Sequence, residues 1–254
     1  MRPNGFKRVL TDNRIAFGAA LQIESPLLVE MLAIAGFDYV MLDGEHGYTG
    51  RNLPALITAA DAAGITPIAR VSDHGRAGLL AALEMGAGGV LAPMVNTAEQ
   101  AAELVRLTKY GPVGERGFSM ATRPAQFGAL ARDTHVRTSN DETLLIVTLE
   151  TREALRNVHQ IAVVPGVDLI FIGRDDLSES LNEPGNRDAA AVDEAIRDIV
   201  IAAGDTPVGT TAFKTDDVRR FRALGVRFFL TGTSATIRLA FEQNRAALMA
   251  GLDA

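Results

Sequence analysis

Cysteine is absent from the 254 residues, and that one absence removes thiol catalysis, disulfides and thiolate metal sites together. Any metal site would have to be built from carboxylates and histidine, which favour a hard or borderline cation. Lysine is scarce as well, with only Lys7, Lys109 and Lys214, so few side chains could act as a nucleophilic amine. Aromatic residues make up 6% and the net charge is −6, with the basic residues scattered, which leaves a nucleic-acid surface little to build on. No run of about 18 apolar residues could cross a bilayer, and residues 1–10 hold no apolar core of signal-peptide length. A cytoplasmic, soluble protein is expected, with neither a membrane nor a nucleic acid as partner.

What is present is apolar. Hydrophobic residues account for 47%, enough for a full-sized core, and about 250 residues is the usual size of one α/β barrel. Strand-like runs recur at 15–23, within 37–47, and at 66–71, 89–94, 144–149, 167–172, 207–212 and 226–230. Helices alternate with them. Ser25-Pro26 reads as an N-cap followed by proline at the first helical position, and the helix to Gly36 offers Leu27, Leu28, Met31, Leu32 and Ala35 as an inward stripe. Further helices are expected from Asn52 to Gly64, over 76–85, from the capping box Thr97-Ala98-Glu99-Gln100, over 152–163 and 188–203, from an N-cap at Thr215 to Gly225, and then to about Met249. Eight strands alternating with eight helices, without a linker, favour one (β/α)8 barrel domain over residues 1–254 rather than an open doubly wound sheet. The segment 110–143, rich in Gly, Pro, Arg and Ser, is far longer than an ordinary connection and is expected to serve as a lid or a contact.

A barrel of this kind gathers the carboxyl ends of its strands on one face. Asp43, Glu45 and His46 then become neighbours of Arg70, Glu150, Asp176 and Lys214. Each alone is compatible with a solvated loop charge or a helix cap; their shared position points to chemistry. Glu150 and Asp176 follow adjacent strands and could share a divalent cation of the Mg²⁺ or Mn²⁺ type through oxygen ligands.

The ordered blocks Gly36-Phe37-Asp38-Tyr39 with Leu42-Asp43-Gly44-Glu45-His46, Pro67-Ile68-Ala69-Arg70, Ala92-Pro93-Met94-Val95, Gly114-Glu115-Arg116-Gly117, Leu149-Glu150-Thr151-Arg152 and Phe171-Ile172-Gly173 ahead of Asp176-Leu177-Ser178 carry a resemblance. Over nearly the whole chain they resemble the HpcH/HpaI family of class II pyruvate aldolases. The resemblance implies a TIM barrel of the phosphoenolpyruvate/pyruvate type and a divalent cation, Mg²⁺ or Mn²⁺ with Co²⁺ as a third candidate. It implies reversible cleavage of 4-hydroxy-2-oxo acids to pyruvate or hydroxypyruvate plus an aldehyde, through a metal-stabilised enolate. By the same resemblance Glu150 and Asp176 match the metal ligands, Arg70 the arginine at the keto and enolate oxygen, and His46 the general base. The amides of Asp175 and Asp176, after Gly173, match the loop that receives the substrate carboxylate. The family also implies a homo-oligomer, a hexamer of dimers that exchange the last helix. Arg116 matches an Arg-Gly block, with ordering of the insertion and a structural ion pair as its two readings.

The chain departs from the family at several places. Glu84 stands where an aspartate commonly orients the catalytic histidine, which adds a methylene to that candidate dyad. Arg174 and Asp175 replace a small Pro-Ala-type pair, and Thr148 replaces a frequent glutamine. Ala20 occupies the place of a common tryptophan near the substrate, while Phe213 adds bulk where the family is smaller. A reshaped pocket is expected, in which Ala20 makes room for a C3 substituent such as the hydroxyl of hydroxypyruvate. Two rival readings remain: a Schiff-base aldolase using Lys214, and a barrel retained only to bind a ligand.

Overall fold

The structure, a computed structural model, describes residues 3–46 and 52–251; Gly47, at the end of the second strand-like stretch, lies outside them. Eight parallel strands close into a barrel in sequence order. They are β1 (Ala16–Leu21), β2 (Tyr39–Asp43), β3 (Thr66–Arg70), β4 (Gly89–Ala92), β5 (Leu144–Leu149), β6 (Leu169–Ile172), β7 (Val208–Thr211) and β8 (Phe228–Gly232). The helices are α1 (Gly5–Thr11), α2 (Pro26–Ile34), α3 (Leu53–Ala63), α4 (Arg76–Met85), α5 (Ala98–Thr108), α6 (Arg132–Glu142), α7 (Arg152–Ala162), α8 (Arg174–Ser180), α9 (Ala190–Ala203), α10 (Thr215–Leu224) and α11 (Thr233–Ala250). No helix among the described residues is long and apolar enough to cross a membrane.

The twofold period of a strand sorts its side chains between two cores. Val40, Leu42, Val90, Val147 and Ile170 face outward and pack beneath the helices, whereas Tyr39, Met41, Ile68, Leu91, Ile146 and Phe171 fill the barrel interior. The amino end of the interior is closed by α1, an element not expected from sequence. Asn4 caps it by accepting from the Lys7 amide, and Phe6 stacks on Tyr39 with ring centroids 4.1 Å apart. The aromatic plug leaves the carboxyl end open.

Helix ends follow their local chemistry. Ser25 caps α2 by accepting from the Leu28 amide, the capping box of Thr97 and Gln100 starts α5, and Gly64, Gly86 and Gly225 end α3, α4 and α10 in the left-handed conformation. Thr215 corrects one expectation: it is the first helical residue of α10, and Lys214 occupies the N-cap without a side-chain bond. Asp216 and Asp217 do lie in that first turn, where carboxylates favour the helix dipole.

The inward stripe of α2 also differs from expectation. Val29 and Leu32 are buried with Leu28 packed beside them, but Leu27, Met31 and Ile34 are exposed. Both sets recur at three- and four-residue spacing, so periodicity alone could not tell which one faces the barrel.

The segment 110–143 is not a bare loop. It carries a short 3₁₀ turn at Gln126–Gly128 and then α6, which leads into β5. Since α5 runs back from the carboxyl to the amino end of the strands, the segment lies at the amino end. There Asn140 accepts from the Tyr110 amide at 2.7 Å and donates to its carbonyl at 2.9 Å, and Arg116 lies over the Tyr110 ring at 4.5 Å. No described residue of this segment lines the cavity at the other end, so it is not a lid over its own barrel.

The last helix leaves its barrel. Thr233 is its one buried residue, and Phe241 is 70% exposed. On the outer wall that α11 would cover in a self-contained barrel, Phe17 of β1 is 40% exposed and, among the described residues, stacks only on Phe229 of β8, at 5.7 Å.

Candidate active site

The open end of the barrel holds a cavity of about 400 Å³. Its floor is apolar, with Ala20, Met41, Leu91, Phe171 and Leu230. Its walls are charged, since the inward positions at the ends of β2, β3, β5 and β6 deliver Glu45, Arg70, Glu150 and Asp176 to it.

Asp43 and Arg70 are register partners across β2 and β3, so their side chains emerge side by side. Arg70 donates from Nε to Asp43 Oδ1 at 2.9 Å and from Nη2 to Oδ2 at 2.6 Å, while Nη1 pairs with Glu45 Oε2 at 2.9 Å. Asp43 is fully buried and accepts as well from the amides of Glu45 at 3.2 Å and His46 at 3.0 Å. Burial pushes its carboxyl up, but the Arg70 hydrogen bonds and charge, with the two amides, outweigh that and hold it below the usual carboxylate range. Asp43 thus fixes both the arginine and the turn carrying His46. The imidazole itself stays accessible: its side chain is 66% exposed, with Nε2 3.8 Å from Glu45 Oε2.

Glu150 follows β5 and Gly173 follows β6, one step beyond the register pair Leu149 and Ile172. The two residues are therefore adjacent, and a Cβ at Gly173 would collide with Glu150 Oε2. Glu150 is 6% exposed; its Oε1 accepts from the Met94 amide at 2.6 Å. Met94 is held in the left-handed region at φ 53°, a conformation that costs a non-glycine residue about 1–3 kcal/mol and clusters at functional sites. Burial, joined by the charges of Asp176 and Glu45, pushes Glu150 up to about 7 against the opposing pull of Met94 and Arg70. Asp176, exposed on the first turn of α8, lines the same cavity. Thr148 lines the same cavity, and its Oγ1 is buried with no hydrogen-bond partner among the described residues. A buried carboxylate with no ion-pair partner among the described residues, a second carboxylate from the helix that follows the next strand and a free hydroxyl line one cavity and are an oxygen donor set suited to a hard divalent cation. No group of three or more His, Asp or Glu able to hold a metal occurs among the described residues, so protein ligation would rest on Glu150 and Asp176.

Ala20, Phe213, Gly173 and Asp175 also line the cavity. Gly173 is the N-cap of α8 and has no side-chain cap bond, so the amides of its first turn are not taken by a capping side chain. Glu84 is not brought to His46. It lies near the end of α4, at the amino end of the barrel, where its charge acts on Arg116 and Tyr110. An antiparallel helix after β3 carries residue 84 the full height of the barrel away, so the dyad is not formed within one chain. Lys214 is exposed and does not line the cavity, and Lys109 is buried against the Thr143 carbonyl at 2.6 Å and Asp168 at 3.3 Å. No lysine reaches the position of a Schiff-base nucleophile.

Sequence reasoning missed two cavity residues of consequence. Arg187 sits between α8 and α9, and nothing in its Gly-Asn-Arg-Asp context marks a strand end. Arg174 was noted only as a departure; it is buried, donating from Nε to Thr211 Oγ1 at 3.1 Å and from Nη1 to Asp188 at 3.0 Å, above the Phe221 ring at 4.7 Å.

The family model described as HpcH/HpaI aldolase/citrate lyase matches residues 18–238. The chain is 34% identical to the 5-keto-4-deoxy-D-glucarate aldolase of Shigella dysenteriae serotype 1 (strain Sd197), over 94% of this chain and 96% of that one. It is also 34% identical to the 4-hydroxy-2-oxo-heptane-1,7-dioate aldolase of Shigella sonnei (strain Ss046), over 92% and 90% of the two chains. Among solved structures, an HpcH/HpaI aldolase/citrate lyase family protein from Burkholderia cenocepacia J2315 superposes with a TM-score of 0.88 at 30% identity, over 97% of this chain and 98% of that one.

Proposed function

The chain belongs to the HpcH/HpaI aldolase/citrate lyase family, and we propose that it is a divalent-cation-dependent aldolase that cleaves 4-hydroxy-2-oxo acids to pyruvate or hydroxypyruvate and an aldehyde, and runs the reverse addition. The observation that carries this reading is Glu150: a buried carboxylate beside Asp176, in the same cavity as Arg70 and His46.

Glu150 and Asp176 would hold the cation, and Mg²⁺ and Mn²⁺ suit their oxygens best. When bound, the cation supplies Lewis-acid polarisation of the 2-oxo group. Arg70, already oriented by Asp43 and Glu45, stabilises negative charge developing on the keto oxygen without having to reorganise. The first-turn amides of α8 are donors for the substrate carboxylate. His46 takes the proton from the C4 hydroxyl as the C3–C4 bond breaks, and returns one to the aldehyde oxygen in the reverse direction. Ala20, on the cavity floor, leaves room for a C3 hydroxyl.

A homo-oligomer in which α11 covers a neighbouring copy is part of the same reading. It is supported by the exposed Phe241 and the bare wall at Phe17 within one chain.

The test is release of pyruvate or hydroxypyruvate from 4-hydroxy-2-oxo acids. Activity should vanish with EDTA and return with Mn²⁺ or Mg²⁺. Activity that survives EDTA and is trapped by borohydride would overturn the metal-dependent reading.

A further inference from the structure

The orientation of Glu150 is set through one peptide unit that is held at both ends. The Val71 amide donates to the Leu91 carbonyl at 3.1 Å, so β3 and β4 stay paired past Arg70, and the Val95 amide donates to the Thr148 carbonyl at 3.1 Å beside β5. Pro93 and Met94 make the turn between these anchors. The bond that joins them is trans, the one cis bond among the described residues being Gly111-Pro112, so its carbonyl and its N–H point in opposite directions. On one side the Met94 N–H donates to Glu150 Oε1 at 2.6 Å. On the other, His74 Nε2 lies 2.6 Å from the Pro93 carbonyl oxygen. A carbonyl can only accept, so Nε2 carries the hydrogen of this bond. His74 is half-buried in the connection from β3 to α4 and does not line the cavity, so it reaches the site only through the peptide.

We infer that His74 is a positioning residue that holds the Pro93-Met94 peptide and, through it, aims the Glu150 carboxylate at the cation. This rests on the reading of Glu150 as a cation ligand and adds the group that keeps the ligand in place. Met94, at φ 53°, is in a conformation that a methionine side chain does nothing to favour. Turning the peptide over would carry Met94 back to negative φ and relieve the strain. It would also set the Pro93 oxygen against the carboxylate, where the N–H now points. The bond from His74 opposes that turn, because a reversed carbonyl would no longer face the imidazole. Donation to the carbonyl polarises the amide as well, and so strengthens the N–H that Glu150 accepts.

Cation binding without substrate tests the role of His74. Mn²⁺ affinity of the metal-free protein, measured by calorimetry, should fall about tenfold or more in His74→Leu, as expected when a group that orients a ligand is removed. His74→Gln should keep most of the affinity, because its amide nitrogen can reach the place of Nε2 and donate, whereas the shorter His74→Asn should behave as His74→Leu does. Adding Met94→Gly to His74→Leu should recover part of the loss, since glycine adopts the left-handed conformation without penalty. Denaturant titration of the metal-free variants establishes which are folded. Full Mn²⁺ affinity in folded His74→Leu, or the same loss in the Gln and Asn variants, overturns the role of His74 and leaves the aldolase reading standing; if His74→Leu does not fold, the Gln and Asn pair decides. Failure of the unaltered protein to bind either Mn²⁺ or Mg²⁺ overturns Glu150 as a cation ligand, and the role of His74 with it.

Discussion

Arg70 spends all three of its guanidinium nitrogens on two carboxylates, Asp43 through Nε and Nη2 and Glu45 through Nη1, at 2.9, 2.6 and 2.9 Å. Asp43 is fully buried and Glu45 lines the cavity, so the guanidinium is held on two sides at the cavity wall.

Asp43→Asn should therefore do more than remove a charge. An amide accepts on one oxygen only, so with that oxygen at the Oδ1 position the Glu45, His46 and Arg70 Nε bonds can be kept, while the Arg70 Nη2 contact is lost and an NH₂ group is set against it. Breaking a buried pair in this way costs about 3 kcal/mol, and kcat should fall because Arg70 loses half of its clamp and the charge that fixes it. Denaturant titration and aldol-cleavage kinetics check both, and unaltered stability would refute the anchoring role.

Glu150 makes metal-free stability depend on pH. The unfolded chain releases this proton near 4.5, whereas the folded chain keeps it up to about 7. In that window the folded state binds more protons, so stability falls as pH rises, by about 3 kcal/mol in all for a shift of this size. In EDTA, Glu150→Gln should thus gain on the unaltered protein between pH 4.5 and 7, with no further gain above. A stability difference that stays flat across those values would contradict the buried, unpaired carboxylate.

His46→Ala and Glu150→Ala should separate proton transfer from cation binding. Loss of the imidazole should lower kcat by about 10²- to 10⁴-fold while Mn²⁺ affinity, measured by calorimetry, holds. Loss of the carboxylate should abolish both.

Ala20→Trp should fill the floor of the cavity and lower use of hydroxypyruvate relative to pyruvate. The measurement is the ratio of kcat/KM for the two nucleophiles with one aldehyde. An unchanged ratio means that Ala20 does not make the room.

Phe241→Asp should reduce the sedimenting mass of the protein, because it places a charge on the exposed apolar face of α11 where a neighbouring copy would pack. Unchanged mass would place that helix outside any interface.

The barrel was legible because each βα unit announces itself locally. β5 and α4 have the bounds expected from sequence, and Gly64, Gly86 and Gly225 stop their helices as left-handed caps do. The charged end of the cavity was legible for the same reason, since Asp43, Arg70 and Glu150 end strands or follow them directly. What failed depends on tertiary direction. The two apolar stripes of α2 look alike until the barrel chooses one, and Glu84 reads as an active-site neighbour only if the run of α4 to the opposite end is ignored. The segment 110–143 reads as a lid for want of that same direction. Arg187 could not be found at all, because only the fold of the α8 to α9 connection brings it over Phe213.

Gly173 shows how little material can determine such a site. The β6 backbone runs so close to Glu150 Oε2 that any side chain at 173 would take the carboxylate's own space. Even Gly173→Ala, the smallest change available, would have to turn that oxygen aside. The direction in which the carboxylate faces the cavity is set by a hydrogen where every other residue has a carbon.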